Sequence, residues 1–228
     1  MKRFRDQKIE EIIIDFKEKL SKDKFNKKYY LLKKYSGKIS WDERKGGGSI
    51  ETAYSEISAL YQLGAYYKAS YLKWTGDQEE GNDHDGVLYI NENEKIIEIS
   101  LLLDEKDITD FRLQGFSERD SIIEDSLEES NQEIIHGMVN LQVFIYNRIV
   151  KIFKKKHKDK YKGYWLCIPY NPFSILGEFN ESKIQNNIYN KIQREEKNLW
   201  FSIRNIFDKI IFLPLEQNDK IFEWIGYK

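Results

Sequence analysis

Two acidic residues stand where acids are costly. Asp83-His84-Asp85-Gly86-Val87-Leu88-Tyr89-Ile90 runs into a short β-rich segment, and Lys95-Ile96-Ile97-Glu98-Ile99-Ser100 opens a second one. Asn91-Glu92-Asn93-Glu94 joins them, so the pair reads as a β-hairpin. Asp85 sits at the mouth of the first strand. Glu98 sits inside the otherwise apolar second strand, where a lone charge is expensive to bury. Strand side chains alternate, so Glu98 and Ser100 share a face. Pairing the strands can bring Asp85 close to Glu98. Two adjacent carboxylates repel, and one takes up a proton unless a cation lies between them. Oxygen donors without cysteine favour Mg²⁺ or Mn²⁺ over zinc. Such an ion polarises a phosphodiester and acidifies bound water. Each residue also has a plainer reading: Asp85 as a turn residue before Gly86, Glu98 as a solvent-facing residue of an edge strand.

These residues resemble the PD-(D/E)xK nuclease superfamily. Its core is a helix carrying an acid, a strand with Asp, a strand with Glu-x-Lys, then a helix and a strand. The resemblance spans residues 49–215. It implies Glu56 or Glu51 as the helix acid, Asp85 as the Asp and Glu98 as the Glu, with Asp85, Glu98 and Glu56 as metal ligands. His84 stands where the motif has Pro, and Ser100 where it has Lys. Glu-Ile-Ser is similar to the Glu-Val-Thr of some members, and a lysine or glutamine would then come from a neighbouring helix, with Gln142 and Lys151 as candidates. The resemblance implies a Mg²⁺- or Mn²⁺-dependent endonuclease cutting DNA before RNA, in restriction or phage defence. Cutting both strands would call for two sites, hence a homodimer. The alternative is an inactive scaffold that binds nucleic acid or protein, motivated by Ser100.

The elements that must hold these residues follow from periodicity. Residues 4–35 carry Ile9, Ile12, Ile13, Phe16 and Leu20 at helical spacing. Gly46, Gly47 and Gly48 read as a linker; without a following Lys-Ser/Thr they are no P-loop. Ser49 looks like an N-cap for a helix from Ile50 to about Tyr71, with Ala53, Ile57, Leu60 and Gly64 on one stripe. Residues 104–133 are polar and acidic and read as an insertion or lid. Asn131 to Lys156 reads as a long helix, Tyr164–Pro169 as a strand, residues 181–205 as a helix and Ile206–Leu215 as the last strand. The expected fold is α/β: a restriction-endonuclease-like mixed β-sheet flanked by helices. Residues 1–46 form a basic N-terminal helical extension, and 49–228 form the nuclease-like core.

Composition bounds the rest. With 40% apolar and 14% aromatic residues in 228, a sizeable core can be buried. Cys167 is the single cysteine, so neither an internal disulfide nor a cysteine zinc site is available. No run approaches a membrane span, and MKRFRDQKIEEIIID has no signal-like apolar core. A reducing cytoplasm and no membrane partner are expected. The net charge of −1 hides a strong asymmetry. Lys and Arg outnumber acids in residues 1–46, acids dominate 77–133, and lysines crowd 151–162. Lys151, Lys154, Lys155, Lys156 and Lys158 are the expected phosphate contacts, although lysines at a helix C-terminus also suit its dipole.

Overall fold

The computed structural model describes residues 4–36, 48–76, 84–102, 127–170, 182–215 and 221–225. It is a mixed α/β structure: a seven-stranded sheet with helices on both faces. The helices are α1 (Phe4–Ile14), α2 (Lys22–Ser36), α3 (Gly48–Tyr66), α4 (Leu127–Lys156), α5 (Ser182–Glu195) and α6 (Lys197–Ile206). The strands are β1 (Leu20–Ser21), β2 (Tyr71–Trp74), β3 (Gly86–Ile90), β4 (Asn93–Ile99), β5 (Trp165–Tyr170), β6 (Lys209–Pro214) and β7 (Phe222–Ile225).

The strands lie side by side in chain order. β1 to β4 form an antiparallel meander; β4, β5 and β6 are parallel; β7 returns antiparallel. Two apolar clusters sandwich the sheet. Helices α1, α2 and α3 cover one face, packing Phe16, Phe25, Ile57 and Leu60 against Leu72, Leu88, Ile97 and Cys167. Helices α4, α5 and α6 cover the other, packing Ile149, Phe153, Ile188 and Ile203 against Leu166, Ile168 and Phe212. β5 is buried along its whole length, as expected of a parallel strand covered on both sides.

The β3–β4 turn sets the geometry of everything that follows. Asn91 and Glu92 both take positive φ, 48° and 67°, the backbone of a two-residue turn whose twist matches the strands. The loop is thus two residues, and the strand starts at Asn93, earlier than the sequence pattern suggests. Gly86 lies against α3: a Cβ there would stand 2.6 Å from Leu60, so only glycine lets β3 approach this closely.

Several expectations are corrected. The N-terminal helix is two helices, broken by a 3-10 turn at Asp15–Lys17 and by β1. In the described part of residues 1–46, expected as an N-terminal helical extension, Ile9, Phe16, Phe25 and Leu32 join the same apolar cluster as Ile57 and Leu60 of α3. α3 stops at Tyr66, short of the expected end near Tyr71, and Tyr71–Trp74 is a strand that the sequence pattern does not mark. α3 begins at Gly48, one residue ahead of the expected cap Ser49. The helix over 181–205 is two, meeting at Glu196, and β7 follows the strand expected to be last. Residues 103–126, most of the acidic stretch, lie outside the described residues. Among the described residues, no helix is long and apolar enough to cross a membrane.

Candidate functional site

The register pairs Gly86 with Ile97 and Val87 with Ile96. Asp85 lies just beyond the last pair of the ladder, near enough for its charge to act on Glu98. The Asp85 N–H donates to the Ile97 carbonyl at 3.0 Å, and the Ile99 N–H donates to Asp85 Oδ2 at 2.6 Å. The Asp85 carboxylate therefore accepts the bond that a longer β3 backbone would have taken. It is fixed at the end of the ladder, between the two strands. Thr75 ties the same point to β2: its N–H donates to the Asp85 carbonyl at 3.1 Å, and its hydroxyl donates to the His84 carbonyl.

Glu98 is 2% exposed. It alternates with Ile97 and Ile99, which face α3, so it faces α4. There it meets Lys156, the last residue of α4, 6% exposed, whose ammonium donates to Glu98 Oε1. Lys156 falls on the buried stripe of α4, after Ile145, Ile149 and Phe153, the positions that face the sheet. The Tyr161 ring lies 5.3 Å from the ammonium, centroid to nitrogen. The segment after α4 folds back through a 3-10 turn at Asp159–Tyr161. Lys160 sits over the outer side of the same ring at 4.8 Å, with its charge also felt at Glu98. His84 and Tyr164 meet edge to face at 6.1 Å, beside Tyr161.

Electrostatics make this an under-compensated cluster. Burial first, and then the charge of Asp85, push the Glu98 carboxyl up to about 7, against the opposing pull of Lys156. Burial would lower the Lys156 pKa, but Glu98 reverses this and holds the ammonium above its ordinary range. Lys156, and more weakly Lys160, thus oppose burial and the Asp85 charge at Glu98. The neighbouring Cys167 thiol is pushed up by burial and by Asp85, so it is inert rather than nucleophilic.

The structure sorts the sequence-derived residues clearly. Asp85 and Glu98 are brought together, and Glu98 is a buried central-strand residue, not an edge residue in solvent. Ser100 follows Glu98 with its N–H bonded to the Cys167 carbonyl at 2.9 Å. Glu56 is not brought to them. It accepts a hydrogen bond from the Trp74 indole at 2.8 Å, and Trp74 pairs with Gly86 on the α3 face, across the sheet from Glu98. Gln142 lies fourteen residues before Lys156 on α4, roughly 21 Å along the helix, and Lys151 is exposed. Lys154, Lys155 and Lys158 are exposed, Lys154 near Glu196 at 3.5 Å. Lys156 is the correction: expected among surface phosphate contacts, it is instead the buried partner of Glu98. A signal was present, since Lys156 continues the apolar spacing of α4 while its lysine neighbours do not.

Two carboxylates supply only oxygen donors, which suits a hard cation. Among the described residues, no three His, Cys, Asp or Glu side chains converge as a metal set. No protein-family model, curated protein or solved structure matches this chain.

Proposed function

We propose that the protein is a divalent-metal-dependent nuclease of PD-(D/E)xK type that hydrolyses phosphodiester bonds, DNA before RNA. The observation that carries this reading is the convergence of Asp85 and Glu98 with Lys156. A lysine donated by α4 stands beside the motif Glu and substitutes for the one that Ser100 displaces. The element order supports it as well: helix α3, the meander β2–β3–β4 bearing both acids, helix α4, then the parallel strand β5.

Asp85 and Glu98 would hold Mg²⁺, which when bound supplies Lewis-acid charge to a phosphodiester and acidity to water. Asp85 is held in place for this by the Ile99 N–H. Lys156 stabilises negative charge as it grows on the attacked phosphate, and its burial strengthens that effect. Exposed Lys155, Lys158 and Lys160 hold the flanking phosphates.

Incubation with plasmid and single-stranded DNA in Mg²⁺ or Mn²⁺ should show cleavage that EDTA stops. Asp85→Ala and Glu98→Ala should each lower it by at least about a hundredfold, with Lys156→Ala close behind. Full cleavage by both acid variants would end the assignment. A second reading is a non-cleaving nucleic-acid-binding module. It is favoured by Lys156 already neutralising Glu98 without a metal, and it predicts salt-dependent binding with intact substrate in both cations.

A further inference from the structure

We infer that the outer face of α2 is a docking surface for a single-stranded stretch of the DNA substrate; this rests on the nuclease reading above. The inner face of α2 is spent on the core through Phe25, Tyr29 and Leu32. Its outer face is cationic and aromatic. Lys24, Lys27 and Lys34 are exposed along it, and Asp23, in the first turn, is the helix's one acid. Between the lysines, Tyr30 is 60% exposed and Leu31 is 41% exposed. Lys27 and Lys34 lie three residues before and four after Tyr30, so they flank the ring on one helix face.

The ring is held, not loose. The Tyr30 and Tyr61 hydroxyls are 2.9 Å apart, and the Tyr30 ring meets Tyr61 edge-on at 6.0 Å. Tyr61 in turn stacks on Tyr29 at 4.1 Å. A positioned, exposed ring between lysines offers stacking for a base and charge for the phosphates on either side, the combination that binds single strands without sequence preference. Duplex DNA, with its bases stacked inside, could use only the lysines. A second copy of this chain would oppose like charges. A purely apolar partner would leave the lysines unpaired.

The direction of the helix connects this face to the acids. α2 begins where the Lys22 N–H donates to the Ser70 carbonyl, beyond the C-terminal end of α3. It then runs against α3, with Tyr29 lying between Tyr61 and Tyr54. Its Lys34 end therefore leads toward the part of α3 where Glu56 reaches Trp74, next to Thr75 and Asp85. A strand laid along α2 runs on the α3 face toward the sheet edge at Thr75 and Asp85, around which it would pass to reach Glu98 on the α4 face.

The test is anisotropy of a labelled twenty-nucleotide oligo-dT with the full chain in EDTA, so that binding is read without cleavage. Tyr30→Ala should weaken binding about tenfold with an unchanged salt slope. The pair Lys27→Glu/Lys34→Glu should weaken it at least as much and flatten the slope by about 1.4. Thermal melts of the α2 variants should agree with that of the unaltered chain, since Lys27, Tyr30 and Lys34 are exposed. Undiminished binding by the α2 variants overturns the inference, as do no binding at low salt, equal affinity for the duplex, tighter binding of oligo-U, or equal loss of binding to phosphatidylserine vesicles. Failure of the two proposals is distinguishable. Binding lost in the α2 variants of a chain that never cleaves leaves the docking surface and removes the catalysis. Asp85-dependent cleavage with unaltered α2 variants does the reverse.

Discussion

Two lysine–glutamate pairs are built into the sheet, and they differ in how well they are balanced. Lys209 on β6 meets Glu223 on β7 at 3.0 Å. The Tyr67 hydroxyl donates to the same glutamate, and the Lys209 ammonium lies between the Tyr67 and Trp165 rings at 4.6 and 4.7 Å. One cation meets one anion, aromatic faces surround it, and both side chains keep some contact with water. Glu98 and Lys156 are more deeply buried, and a second carboxylate, Asp85, presses on Glu98. Burying an ion pair is costly unless its geometry and hydrogen bonds are complete. The first pair is complete as it stands, a structural clasp on the last strand. In the second, burial and the Asp85 charge outweigh the pull of Lys156 and Lys160 on Glu98.

Removing the lysine of each pair should break the comparison most sharply. Lys156→Met leaves Glu98 buried without its counter-charge and should cost about 3–5 kcal/mol in urea unfolding. Adding Glu98→Gln to Lys156→Met should recover much of that loss, because the uncompensated charge is gone; a double variant no better than the single would contradict it. Next comes pH. The folded chain holds the Glu98 proton up to about 7, against an ordinary 4.5. Between those values the folded state binds more protons than the unfolded one, so stability falls as pH rises. The Glu98 contribution is full below 4.5 and lost on passing about 7. Unfolding free energies from pH 4.5 to 8 should show this decline in the unaltered chain and a flatter profile in Glu98→Gln. Millimolar Mg²⁺ should offset the decline at the upper end. The smallest effect belongs to the balanced pair. Lys209→Met should cost about 1 kcal/mol, because Glu223 retains Tyr67 and some water, and cleavage should not change.

Much of the candidate site was legible in the sequence. Asp85 before Gly86 and Glu98 among isoleucines marked the two acids, and the two-residue turn at Asn91-Glu92 fixes the register that ends with Gly86 beside Ile97, between them. Glu56 was misplaced because sequence order gives a helix, not the face of the sheet that the helix covers. The Trp74 hydrogen bond shows that α3 lies on the other side. β1, β2 and β7 went unseen for a related reason: runs of two to four residues carry too little periodicity, and only pairing with a neighbour makes them strands.

What the sequence determined by itself was the set of apolar stripes on α2, α3, α4 and β5, and the presence of two acids where a hairpin would have to bury or expose them. The tertiary structure alone decided which charge meets them. Glu98 and Lys156 are 58 residues apart, and no local pattern links them. Alternation in a strand fixes the side on which a carboxylate emerges, but the helix waiting there is chosen by the packing of the whole chain. In a medium where an unpaired charge is so costly, that choice sets whether Glu98 is neutral, paired or ready for a metal.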